Sequence, residues 1–405
     1  VKHSRAFCLN GIKFPDRTIQ PALWEVKKQY QNIHISELNS DELTFEVFNE
    51  HFFSNLSEFD LEWILLKDGE QVKNGILSLE GAPLSKQTIN LKNEIGSLNS
   101  ESEYFVNFHW KLKTSISLLE KGHEIAKDQF IIKTKPVVIS NEVSKANINV
   151  SETIEVITVE CADAISITFD KAQGTLVSYE VNGENWMTSP LLMNTWRGAL
   201  DNDLGAETPI KSIKWKDIES KVKTNIINWK KLSDNRIMVS VKKYNPDVAN
   251  FFVNYTIDGT GKIKTQYVIE RTNGKVLIPR VGMNLKLTKA FSNVNYYGRG
   301  PYENYPDRKE SAFLGVYNAK AEDFYVPYIR PQENGYRTDV RWLEVKNDQS
   351  QGLKFSSQQL LNFNINHFNN DDFEYSEKNK HTIDLVPQEH VNLNIDYKQM
   401  GVGGD

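Results

Sequence analysis

Cysteine is almost missing from this chain. Only Cys8 and Cys161 occur among 405 residues, far apart in sequence. That excludes a disulfide framework or a cysteine metal knuckle, and leaves each thiol as a buried apolar side chain. Long apolar runs are missing as well. None approaches the roughly 20 residues that a membrane helix needs, so no membrane partner is expected. Charge of one sign is not in excess. There are 48 Lys and Arg against 53 Asp and Glu, a net charge of −5. The densest basic stretch, KVKTNIINWKK at 221–231, has the apolar spacing of a strand with a solvated face. Nucleic acid is therefore not expected as a partner. No phosphate loop, dinucleotide fingerprint, nucleophile elbow or His-x-x-x-His pair occurs. The eight histidines are scattered, and His367, His381 and His390 in the last block read as surface or hydrogen-bonded residues.

What is present is ordinary for a globular protein: 39% hydrophobic and 25% charged residues. At roughly 100–200 residues per domain, the length suggests two or three domains. VKHSRAFCLNGIKF at the start has neither Met nor a leader pattern, and DYKQMGVGGD at the end is a glycine-rich turn. The expectation is that both ends are cut from a longer chain. Residues 1–32 read as a loop and one helix, with Pro21 suited to the first helical turn. Residues 33–136 alternate in short stretches such as LTFEVFNEHFF and SEYFVNFHWKLK, separated by KDGE and KNG. That pattern predicts a small β-sandwich. Residues 137–150 are polar and read as a linker. Residues 151–405 are strand-rich again, with hairpin signals in DGTGK and VNGENW, and predict a large double-sheet sandwich. The whole reads as all-β, with helix limited to one or two short segments.

Eight Trp, 16 Tyr and 20 Phe suit sugar binding, because rings stack on the C–H faces of sugars. MNTWRGALDNDLGAETP, residues 193–209, sets Asp201, Asn202, Asp203 and Glu207 directly after an apolar strand. It is either a solvated loop with Asx-turns or a loop reaching a neighbouring site. GRGPYENYPDR, residues 298–308, gathers Arg299, Glu303, Asp307 and Arg308 on a Pro-stiffened loop. It reads as a structural bracket built from Arg–carboxylate bonds rather than as a sugar site. RPQENGYR, residues 330–337, repeats the theme and is its partner or its analogue. Asn49 and Glu50 in FNEHFF imitate the Asn-Glu pair of retaining glycosidases but sit where a strand edge or turn is expected.

FCLNGIKFPDRTIQPALWEVKKQYQ, NEHFFSNLSEFDLEWILLKDG, TWRGALDNDLG, YYGRGPYENYPDR, YVPYIRPQENGYRTDVRWLEV and MGVGGD occur in that order. Together they resemble the C-terminal part of the large bacterial β-galactosidases of glycoside hydrolase family 2. The resemblance covers essentially the whole chain. It implies that residues 1–32 are a remnant of a catalytic (β/α)8 barrel and residues 33–136 an immunoglobulin-like domain. Residues 151–405 would then be a terminal β-supersandwich, truncated at its C-terminus. It implies a retaining parent enzyme acting on β-galactosides, with both catalytic glutamates upstream of Val1, so that the isolated chain is inactive. Sodium and magnesium are implied for the parent, as are the absent barrel and N-terminal domains as partners and a homo-oligomeric state. By position, the Phe7 carbonyl and the Asn10 side chain would be sodium ligands. Asn10, Asp201, Asn202 and Glu207 would border the substrate. The chain departs from the pattern at His3, where a relative carries Asn at an outer metal site. Two other readings stay open: an aldose-epimerase-like enzyme, which needs a His acid and a carboxylate base in one groove, and a carbohydrate-binding module without chemistry. The compartment is left open.

Overall fold

Apolar–polar alternation becomes strand pairing along most of the chain. In Phe59–Lys67 the inward residues Phe59, Leu61, Trp63 and Leu65 are buried. In Ala249–Asp258 the same holds for Ala249, Phe251, Val253, Tyr255 and Ile257. Successive side chains of a strand point to opposite faces, so such a pattern buries one face of a sheet. The computed structural model describes residues 11–135, 146–272, 276–374, 376, 378 and 380–403. Phe7 and Asn10, expected as sodium ligands, lie outside the described residues, as do His3 and Cys8.

The first unit packs a three-stranded sheet, Ile33–Asn39, Thr44–Asn49 and Lys86–Asn90, against a four-stranded one. The latter runs in the order Glu70–Ser78, Phe59–Lys67, Tyr104–Leu112, Glu124–Lys133. Phe45, Trp63, Phe108 and Trp110 lie in the shared core. The larger unit has a five-stranded, a four-stranded and a seven-stranded sheet, and its core draws on all three. The DGTGK hairpin joins Ala249–Asp258 to Ile263–Arg271. There Asp258 Oδ1 accepts the Thr260 N–H at 2.9 Å, and Gly261 takes φ +79°, the left-handed region that favours glycine.

Helix exceeds the one or two segments expected. Five short α-helices occur among the described residues, of which Ala22–Gln29 is the longest. Pro21 immediately precedes it, as its fixed φ allows. Residues 11–32 hold this helix and a Lys13–Ile19 bridge, and no barrel geometry. The segment ties the two units together. Trp24 stacks on Tyr302 at 5.5 Å, Glu25 accepts the Ser311 N–H at 3.0 Å, and Lys28 pairs with Asp128 at 2.5 Å.

The seven-stranded sheet runs Leu192–Asn194, Arg280–Thr288, His390–Gln399, Gly352–Asn366, Arg337–Lys346, Asn293–Gly300, Phe313–Lys320. The last two strands at one edge meet the first unit through Leu66, Phe105, Tyr297 and Leu314. Beside them Arg341 donates two hydrogen bonds to Glu103, at 2.9 and 2.7 Å, and Gln129 pairs with the Leu314 backbone in both directions. Replacing Glu103 with alanine strands Arg341 and the Tyr297 hydroxyl in this contact. The expected loss is about 2 kcal/mol in urea unfolding. A change within 0.5 kcal/mol would make the contact incidental.

Candidate functional site

Four segments converge on one rim of the seven-stranded sheet. Asn194 leads into Thr195–Arg197, Gly300 into the proline loop, the loop before Arg337 comes back, and Gln399 leads into Met400. The register explains the meeting: Asn194 pairs with Gly282, Arg280 with Gln399, and Gly300 with Phe313.

Arg197 stands at the centre. Its guanidinium grips Asp203 in a fork, Nε to Oδ2 at 3.1 Å and Nη2 to Oδ1 at 2.8 Å. It also donates to the carbonyls of Met400 at 2.7 Å and Gly401 at 2.8 Å. Asn202 donates to the Val402 carbonyl at 2.6 Å. Asp307 accepts the N–H groups of Val402 at 3.0 Å and Gly403 at 2.6 Å. A Cβ at Gly401 would lie 2.4 Å from the Asp307 carboxyl carbon, so the close approach needs glycine. Residues 400–403 are thus clamped from both sides.

The stretch 201–209 is helical rather than a loop, with Asp201–Gly205 and Thr208–Lys211 as short helices. The reason is Asp203, which accepts the Leu200 N–H at 3.0 Å and starts the turn. Asp203 is buried and paired, Asp201 is half exposed and lies 3.1 Å from Arg330, and Asn202 holds the clamp. Glu207 is not brought to them. It is exposed, at φ +59°, and lies 3.6 Å from Lys211.

The two motifs rich in Arg and Glu are partners. Glu303 accepts from Arg308, from the Tyr328 hydroxyl at 2.7 Å and from the Gly335 N–H at 2.6 Å. Asn304 accepts both the Thr338 N–H and its hydroxyl, and Arg337 donates to the Pro301 carbonyl at 2.7 Å. The expected Arg pairing of Asp307 is replaced by its backbone bonds to 402 and 403. Burial works against the Arg308 charge, but Glu303 beside it holds the guanidinium protonated. Asn49 and Glu50 are structural: Asn49 caps the carbonyls of Ser54, Gly81 and Ala82, and Glu50 pairs with His34.

Behind these loops lies a buried charge cluster that sequence reasoning missed. Arg280 is flanked by Glu333 at 2.7 Å and Asp396 at 2.9 Å, all three nearly inaccessible. Burial pushes the Asp396 carboxyl up to about 7, with Arg280 pulling the other way. Carboxamides extend the cluster across the sheet: Asn364 donates to Glu333, Asn394 to Asn364, and Asn194 to Asn394, at 2.7–2.8 Å. The signals were a lone Arg in IPRVGMN, a lone Asp in NIDYKQ and the Asn-x-Asn repeats, all at inward positions of strands.

A concave pocket of about 200 Å³ opens between the clamp and the bracket. Its wall includes Asp201, Asn202, Glu303, Tyr305, Arg308 and Glu333. No histidine lines it among the described residues, so it lacks the acid that an epimerase-like groove needs.

Residues 162–405 match the family described as β-galactosidase small chain, and residues 45–133 match β-galactosidase domain 4. A β-galactosidase of Priestia megaterium is 31% identical over 98% of this chain and 38% of that protein. One of Pseudoalteromonas haloplanktis is 27% identical over 100% of this chain and 40% of that protein. One of Streptococcus thermophilus is 30% identical over 98% and 38%. The chain therefore spans about two-fifths of the length of these relatives. Among solved structures, galactose 1-epimerase of Lactobacillus acidophilus aligns at 12% identity and TM-score 0.23, over 64% of this chain and 99% of that one.

Proposed function

Because this chain belongs to the β-galactosidase family, we propose that it is the C-terminal part of a retaining enzyme of glycoside hydrolase family 2. The parent hydrolyses terminal β-D-galactosides such as lactose. Retaining chemistry needs two carboxyl groups about 5–5.5 Å apart across the sugar, one as nucleophile and one as acid and base. On this reading both belong to the parent's barrel, along with the magnesium ligands. Residues 1–32 are the exit from that barrel, and Phe7 and Asn10 would offer a carbonyl and an amide oxygen to sodium beside the galactosyl site. The barrel and N-terminal domains are the chain's partners, and the parent is a homo-oligomer.

The observation that carries the reading is the clamp on residues 400–403. Arg197, Asn202 and Asp307 fix the backbone where the sheet's rim meets the pocket. A segment held by charge-assisted bonds on both sides points in one direction. That is what a wall of an active site completed by other domains requires. Asp201 and Asn202 border that wall, and Glu207 faces outward from it.

The purified 405-residue chain is expected to hydrolyse no chromogenic β-galactoside, because on this reading both members of the carboxylate pair belong to the parent's barrel. Turnover above the buffer blank that survives repurification would end this reading. In a full-length parent, Asp307→Ala is expected to lower kcat/KM by loosening the clamp. Wild-type kinetics at an unchanged melting temperature would leave the clamp with a purely structural role.

A further inference from the structure

The loop between Gly300 and Ala312 is held from two sides. Its two ends face the first helix, Ala22–Gln29. Trp24 stacks on Tyr302, with ring centroids 5.5 Å apart and planes 12° apart. One Glu25 carboxylate oxygen accepts the Ser311 N–H at 3.0 Å, and the other takes the Gln29 amide at 3.0 Å, which fixes the carboxylate's orientation. The middle of the loop faces the C-terminal stretch. There Asp307 accepts the N–H groups of Val402 and Gly403 at 3.0 and 2.6 Å. One loop therefore joins the helix to the clamp.

The loop is built to pass a displacement from one side to the other. The Tyr302 hydroxyl donates to the Ser311 carbonyl, which staples the loop's two ends, and it accepts from Lys127 Nζ at 3.3 Å. Tyr305 and Arg308 exchange both backbone hydrogen bonds, at 3.0 and 2.9 Å, so Asp307 rides on a closed turn. Pro306 fixes φ at the second position of that turn. A second contact runs in parallel. Phe14 packs on Tyr328 at 6.0 Å, and the Tyr328 hydroxyl donates to Glu303 at 2.7 Å. Satisfied polar networks of this kind rigidify the segment that carries them.

We propose that Trp24 and Glu25 are positioning residues for the stretch 400–403. They set the loop, and Asp307 carries that setting to the Val402 and Gly403 backbone. The functional meaning rests on the reading of 400–403 as a wall of the parent's site. On that reading residues 1–32 leave the barrel, so the loop they hold keeps wall and barrel in register. A site shared between two domains needs such a tie, because a misplacement near 1 Å costs rate.

The test is hydrogen exchange of the 405-residue chain, read at the Val402 and Gly403 amides. Val253 and Tyr255, buried in Ala249–Asp258, serve as references. Trp24→Ala is expected to speed exchange at 402 and 403 roughly 3- to 10-fold relative to the references, the scale of one lost aromatic pair. Trp24→Phe keeps a ring on Tyr302 and is expected to restore most of the protection. Glu25→Ala should act like Trp24→Ala, whereas Glu25→Gln, which keeps an acceptor for Ser311, should not. In an Asp307→Ala background, Trp24→Ala is expected to add nothing at these amides, because the connection is already cut. Unchanged exchange, a rise no larger than at the references, or an equal further rise in the Asp307→Ala background would each overturn the assignment. None of these readings needs turnover. In a full-length parent, a Trp24→Ala variant with faster exchange but wild-type kcat/KM would uphold the positioning of 400–403 and overturn only the wall.

Discussion

Arg197→Met is expected to lower the stability of the 405-residue chain by about 3–5 kcal/mol, the cost of leaving one member of a buried ion pair alone. Asp203 would keep only the Leu200 N–H, and the carbonyls of Met400 and Gly401 would lose their shared donor. The side chains of Arg197 and Asp203 are only 2% and 3% exposed, so water does not replace what is lost. Urea unfolding measures the effect. The double variant Arg197→Met/Asp203→Leu is expected to recover part of it, because no lone charge remains buried. Hydrogen exchange at Val402 and Gly403 should rise in both variants, since the Arg197 bonds to the adjoining Met400 and Gly401 carbonyls are lost in both while the Asp307 side of the clamp remains. A loss under 1 kcal/mol in the single variant would contradict the burial argument.

Asp396 is expected to make the wild-type chain less stable as pH rises. Two carboxyl groups, Asp396 and Glu333, face the one guanidinium of Arg280 in a dry site, where burial disfavours the charged form of Asp396. Desolvation raises the Asp396 carboxyl from 3.8 to about 7, against the pull of Arg280, with Glu333 adding to the rise. Between those values the native state holds a proton that the unfolded chain has released. Stability therefore falls from about pH 4 to about pH 7 and levels off above. Three units at about 1.4 kcal/mol each set the scale at about 4 kcal/mol. Asp396→Asn carries no such proton and should lose this slope. The melting temperature of the wild type relative to Asp396→Asn should therefore drop between pH 5 and pH 8. A constant difference over that range would contradict a raised Asp396 carboxyl.

The elements were readable because their causes are local. LTFEVFN, DLEWILL and FFVNYTID show their buried faces in their own alternation, and Pro21 and Gly261 mark a helix start and a turn through their own backbone limits. The site was readable only in outline. Asp201, Asn202 and the Arg- and Glu-rich loops stand out by density, yet the 201–209 stretch reads as a loop in sequence because its turn depends on Asp203 being buried against Arg197. Arg280, Asp396 and the asparagines gave weaker signs, a single polar residue at an inward strand position. Nothing in such a residue names its partner, which arrives from 53 positions away in Glu333 and from a different strand in Asp396.

Composition and spacing along the chain were enough for an all-β protein with two strand-rich blocks, and the order of its motifs was enough for the family resemblance. A strand's face and a turn's φ are properties of a few neighbouring residues. The clamp on 400–403 and the buried cluster of Arg280, Glu333 and Asp396 exist only after folding. Each depends on charges and donors brought together from distant segments and cut off from water, where pairing and desolvation set their chemistry.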